Sequence, residues 1–149
     1  MSKFVLFMYH FCYFLYSKKI PMLPQLLNKI FVRLLMSCQI GLGAKIGKNV
    51  VLAYGGLGVI IHHDASVGDN CTIGAHVTIG GVAKNPKAPV IREGCIIATG
   101  AKILGPVTVD KNTVVGANAV VVNSLPANCV AVGIPAKIIK TNIDINDYL

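Results

Sequence analysis

The sequence predicts an all-β chain wound as a parallel β-helix of hexapeptide repeats, behind a short N-terminal helical segment. Three observations predict it. The first is a six-residue beat of aliphatic residues at Ile61, Val67, Ile73 and Ile79, which resumes after a gap, in the same phase, at Ile91, Ile97, Ile103, Val109, Val115 and Val121. Leu52 and Ile46 extend it backward once a three-residue insertion before Ile61 is allowed. The second is a small or β-branched residue four places after the beat: Ala65, Cys71, Val77, Cys95, Ala101, Val107, Thr113 and Ala119. The third is glycine directly after the beat, as at Gly47, Gly68, Gly74, Gly80 and Gly116. A helix repeats near 3.6 residues and a flat strand at 2, so neither gives a period of six. A solenoid does, because each short strand plus its turn is one unit that stacks on the coil below.

Composition agrees. The chain has 149 residues, enough for one domain with a real core, and is 54% hydrophobic and 13% charged. About 25% charged is usual, and a stack of short buried strands explains the deficit. A net charge of +8 points to an anionic partner, either a phosphorylated cofactor or a membrane surface, with solubility alone as the plain alternative. Nucleic acid is disfavoured, since the repeats hold no dense Lys/Arg run and no aromatic platform. The five cysteines, Cys12, Cys38, Cys71, Cys95 and Cys129, form no CxxC pair, which argues against a zinc ribbon or a dithiol motif. Free buried thiols suit a reducing cytoplasm. With three hexads per coil, Cys71 and Cys95 are not expected to stack.

The chain divides into three parts. Residues 1–37 are outside the repeat. Phe4 to Tyr16 is a nearly unbroken apolar and aromatic run, too short to span a bilayer, and lacks a small-residue cleavage site. After Pro21 and Pro24, Leu26, Leu27, Ile30, Phe31, Leu34 and Leu35 recur at helical spacing, with Lys29 and Arg33 on the other face. Two short helices are expected. Their apolar faces either cap the open end of the solenoid or rest, with the basic residues, on the inner leaflet of a membrane. Residues 38–140 form the coils, interrupted by a loop from Val82 to Pro89, and 141–149 form a polar tail.

Four motifs carry a resemblance: Val77-Thr78-Ile79-Gly80-Gly81, Ile91-Arg92-Glu93-Gly94, Gly100-Ala101-Lys102-Ile103-Leu104-Gly105 and Gly133-Ile134-Pro135-Ala136-Lys137. Together they resemble the serine acetyltransferase branch of the hexapeptide-repeat acyltransferases. The resemblance implies a left-handed β-helix, a homotrimer with active sites between neighbouring subunits, and transfer of acetyl from acetyl-CoA to a hydroxyl without a metal. It also implies that Gly100, Ala101, Lys102 and Lys137 lie near the cofactor, the two lysines beside its phosphates. The family's catalytic histidine falls on Tyr54, its acidic partner on Gln39 and a further substrate-contacting histidine on Ala88. A sugar hydroxyl, as in small cell-surface acetyltransferases of similar length, therefore stands beside L-serine as acceptor. A non-catalytic scaffold is the alternative.

Stacking at eighteen residues places His62 beneath Gly80, Ala98 and Gly116, and His63 beneath Gly81, Thr99 and Ala117. Two columns nearly free of side chains would then form a groove for the pantetheine arm, with imidazoles at its foot. A hydroxyl attacks a thioester only as its proton is taken, and an imidazole does this near neutral pH. His62 or His63 is the expected base, His62 first because its column is the emptier, with Asp64 or another acid orienting it. His76, stacked above Gly58, and Tyr54 are expected to contact the acceptor; a phenol is a weak base. No metal is expected, because adjacent His62 and His63 should point to different sides of the chain.

Overall fold

The computed structural model describes residues 2–148. Two helical segments come first: α1 (Ser2–Ser17), then α2 (Leu23–Leu27), which runs on into a wider π-helical turn over Asn28–Leu34. Among the described residues fifteen strands follow, most of two residues. They are β1 (Gln39–Ile40), β2 (Lys45–Ile46), β3 (Val51–Leu52), β4 (Ile60–Ile61), β5 (Ser66–Val67), β6 (Thr72–Ile73), β7 (Thr78–Gly80), β8 (Val90–Ile91), β9 (Ile96–Ile97), β10 (Lys102–Leu104), β11 (Thr108–Val109), β12 (Val114–Val115), β13 (Val120–Val121), β14 (Cys129–Val132) and β15 (Lys137–Thr141). They form the three faces of a parallel β-solenoid: β1-β4-β7-β10-β13, β2-β5-β8-β11 and β3-β6-β9-β12-β14-β15.

Every beat residue from Ile61 to Val121 points inward and is buried, as is the residue four places on, except Ala83 in the loop, which is exposed. Ladder pairing supplies the backbone hydrogen bonds, and the aliphatic columns supply apolar burial at about 25 cal/mol per Å².

The coils are unequal in length. Ile40 pairs with Ile61, 21 positions on; Ile61 with Ile79, 18 on; Ile79 with Ile103, 24 on; Ile103 with Val121, 18 on. The extra three residues fall where expected, between Leu52 and Ile61, at the turn Ala53–Gly56, in which Tyr54 and Gly55 take left-handed backbone. The extra six are the loop after Gly80. Six is one beat, so the phase survives, but every later stacking partner moves one face around the prism. Uniform eighteen-residue stacking is therefore corrected above Gly80. The same shift stacks Cys71 on Cys95, because Thr72 pairs with Ile96. All five thiols are free and buried. Cys95 is pushed up from the usual thiol range by its hydrogen bond with Cys71 and by burial, and burial pushes Cys38 to about 11.

The helices close the open end of the first coil. The lower edge of that coil presents backbone groups with no strand beneath them. Tyr9, fully buried, shares its one hydroxyl proton between Ala44 O at 2.7 Å and Gly41 O at 3.0 Å. Asn28 Nδ2 donates to Ile40 O at 2.9 Å, and Ser2 Oγ accepts the Leu52 N–H at 2.8 Å. The inner face of the second helical segment is Pro24, Asn28 and Val32. This corrects the expected leucine face: Leu26, Ile30, Leu34 and Leu35 are exposed. A donor was needed over the coil's carbonyls, and Asn28 rather than a leucine provides it. At the other end, β15 folds back antiparallel on β14. No helix among the described residues is long and apolar enough to cross a membrane.

Candidate active site

Two corners of the prism carry the expected site residues, and they flank opposite ends of the strands of the first face. The corner after β4 holds His62, His63 and Asp64. The two imidazoles lie side by side, their centroids 4.1 Å apart at 31°. His63 Nε2 lies 3.0 Å from Asp64 Oδ2, and His62 Nδ1 lies 3.9 Å from the same oxygen. The donor atoms of all three residues fall within 4.8 Å of one another. The expectation that adjacent histidines diverge is thus corrected: the turn after Ile61 turns both rings to one side.

The hydrogen bonds separate the two rings chemically. The Asp64 N–H donates to His62 Nδ1 at 3.2 Å. A neutral imidazole accepts at one nitrogen only, so His62 Nε2 carries the proton and has no lone pair to offer. His63 is arranged the other way. Its Nε2–H points at the Asp64 carboxylate, leaving Nδ1 to accept a proton. Of the two rings, His63 is the one whose accepting nitrogen is left over once its contact with Asp64 is made.

The corner after β6 holds the side-chain-poor strip. Because of the loop, Ala98 lies over Gly74 rather than over Gly80: a Cβ on Gly74 would come within 2.8 Å of the Ala98 carbonyl carbon. Gly116 follows above Ala98, since β9 pairs with β12 and Ala98 donates to Val115 O at 2.9 Å. The parallel column is Ala75, Thr99 and Ala117. The strip starts beside Tyr54 and His76 and not beneath the paired histidines, which corrects the expected groove. Over His62 stands Gly80, as expected, but Leu104 closes that column, 3.5 Å from where a Gly80 Cβ would lie.

Tyr54 and His76 share a further feature. Both adopt left-handed backbone, φ 53° and 57°. His76 occupies the corner place held by Gly100 and Asn118 in later coils, also at positive φ. Such a conformation costs an ordinary residue about 1–2 kcal/mol, and residues held there cluster at functional sites. Gly58 (φ 66°) makes room for the His76 ring: a Cβ there would clash with its Nδ1. Lys102 Nζ donates to His76 O at 2.6 Å. Of the other expected cofactor contacts, Thr99, Gly100 and Ala117 line this corner. Lys137 pairs with Val132, which stands over Gly116 at the strip's upper end. Ala101 is corrected: it points into the core with no exposure. Gly74 and Ala75, at the strip's foot, are not among the expected contacts; the glycine after the beat at Ile73 signals them, but uniform eighteen-residue stacking sets them one face away from Ala98.

Within one protomer the structure brings His62, His63 and Asp64 together, and separately Tyr54, His76 and the strip. It does not bring the two groups to one corner.

The chain is thus a parallel β-solenoid of hexapeptide repeats, with a side-chain-poor strip along one corner and paired imidazoles at another. No protein-family model matches the chain. Known proteins narrow the class. The chain is 36% identical over 129 residues to a serine acetyltransferase of Synechococcus elongatus, covering 85% of this chain and 52% of that protein. It is 40% identical over 128 residues to a serine acetyltransferase of Staphylococcus xylosus, covering 85% and 58%. The crystal structure of a Brucella abortus serine acetyltransferase in complex with coenzyme A superposes with a TM-score of 0.87 at 30% identity, over 93% of this chain and 56% of that one. In sequence and fold the chain is similar to serine acetyltransferases, and it spans a little over half the length of the relatives it matches.

Proposed function

We propose that this chain is an acetyl-CoA-dependent O-acetyltransferase whose active site is shared between two subunits of a homotrimer. One subunit supplies the strip over Gly74, Ala98 and Gly116, along which the pantetheine arm extends, with Thr99 and Ala117 beside it and Lys102 and Lys137 toward the phosphates. The neighbour supplies His63 and Asp64. The acceptor hydroxyl gives its proton to His63 Nδ1 as its oxygen attacks the thioester carbonyl. The tetrahedral adduct then collapses, the C–S bond breaks, and the imidazolium returns the proton to the leaving thiolate. Asp64 holds the ring and stabilises its charged form. The observation that carries this reading is the strip, side-chain-poor over three successive coils and flanked by two strained polar residues. The relatives' name and the coenzyme A complex of one of them support the donor.

The acceptor is a small hydroxyl compound. The relatives are named for serine. Tyr54, Gln39 and Ala88, standing where the family resemblance puts a catalytic histidine, its acidic partner and a substrate-contacting histidine, favour a sugar instead. The test is thiol release from acetyl-CoA with L-serine and with a panel of sugars and sugar nucleotides, run on the intact chain and on His63→Ala, His62→Ala and His76→Ala. His63→Ala should lower kcat by about 10²-fold or more, and His62→Ala by clearly less. Release that depends on His76 and not on His63 would move the base into the strip's own subunit. No release with any acceptor would favour a non-catalytic scaffold.

A further inference from the structure

We propose that residues 2–37 form an interfacial docking element for an anionic lipid surface. Phe4, Phe7, Phe11 and Phe14 stand exposed at three- and four-residue intervals along α1. At about 100° per residue their stripe lies opposite Val5, Leu6, Tyr9 and Cys12, the residues α1 buries against the rest of the chain. The helix is apolar on both sides: one closes the solenoid, and the other has nothing over it. Leu23, Leu26, Ile30 and Leu34 extend this exposed surface on the second helical segment. There Leu26, Ile30 and Leu34 line a cleft of about 420 Å³ together with Lys29 and Arg33.

Charge decides what covers this surface. Lys3, Lys18, Lys19, Lys29 and Arg33 all lie in the element and are exposed, and the chain has no acidic residue before Asp64. Two copies laid face to face would bring like charges together in a site losing its water. An acidic lipid surface presents the opposite charge at headgroup level, with hydrocarbon just beneath for the phenylalanines and leucines. Lysine and arginine stems reach outward to the phosphates while aromatic rings enter the boundary. The buried side of α1 stays on the solenoid, so the element lies along the surface and does not enter as a span.

The test uses the intact chain with vesicles of phosphatidylcholine alone and of phosphatidylcholine mixed with phosphatidylglycerol, followed by sedimentation. Binding is expected to the mixed vesicles only, and should fall as salt rises. Phe7→Ser with Phe14→Ser should weaken it about tenfold or more. Lys18→Glu with Lys19→Glu should weaken it while leaving the thermal melt unchanged, since these side chains are exposed. Absence of binding to the mixed vesicles overturns the proposal. So does binding that ignores the phenylalanine changes, or a wild-type assembly in solution that those changes split into smaller species, which would mean that a second copy covers the face. Acetyl transfer to a soluble acceptor is a separate readout, so failure here leaves the transferase reading intact.

Discussion

Ala98→Leu tests where the acyl donor lies. Ala98 is the middle rung of the strip, with Gly74 on the coil below and Gly116 on the coil above, at strand spacings of about 4.8 Å. A leucine adds three carbon atoms to the outward face, enough to cover part of either neighbouring rung. If an extended pantetheine arm runs there, it loses contact equivalent to about two methylene groups. At about 0.8 kcal/mol each that is about 1.6 kcal/mol, somewhat over tenfold in affinity. The side chain points out of the core, so stability should change by less than about 0.5 kcal/mol. Steady-state thiol release with acetyl-CoA varied should show KM raised about tenfold, kcat little changed and an unaltered melting temperature. Arg92→Leu, on the third corner, is the control and should leave KM alone. An unchanged KM in Ala98→Leu, or an equal rise in the control, would refute the placement.

Other outcomes follow from the same coordinates. Tyr9→Phe removes the one hydroxyl donor that Ala44 O and Gly41 O share, without changing shape, which should cost about 1 kcal/mol and lower the melting temperature by about 2–4 °C; a shift under about 1 °C would mean water replaces the hydroxyl. Gly58→Ala places a Cβ against His76 Nδ1 at a left-handed φ. It should destabilise by about 1–3 kcal/mol and displace the His76 ring, read as a shift of its imidazole NMR signals.

The fold was legible because the core is one-dimensional: each inward residue from Ile61 to Val121 announces itself at period six, and a loop of one beat does not disturb the phase. The site was less legible for the same reason. Phase is blind to an insertion of a whole beat, so the loop after Gly80, though visible as a gap, moved Ala98, Thr99, Gly116 and Ala117 one face away from His62 and His63 without shifting the pattern. Cys71 and Cys95 became stacking neighbours by the same shift. The tautomers were also hidden, since they depend on where the Asp64 N–H points. The corner strain at His76 could have been suspected, because a histidine stands where later coils have Gly100 and Asn118. The inner face of the second helix went astray because apolar spacing was followed where the coil's carbonyls needed a donor.

The most direct measurement is subunit complementation. His63→Ala and Ala98→Trp proteins, each inactive or nearly so alone, are unfolded together and reassembled at equal ratio. If donor strip and base come from different subunits of a trimer, random mixing leaves about one interface in four with both elements intact. Thiol release should then return to about a quarter of the wild-type rate. A mixture as inactive as its two components would contradict a shared site and place all the chemistry within one subunit.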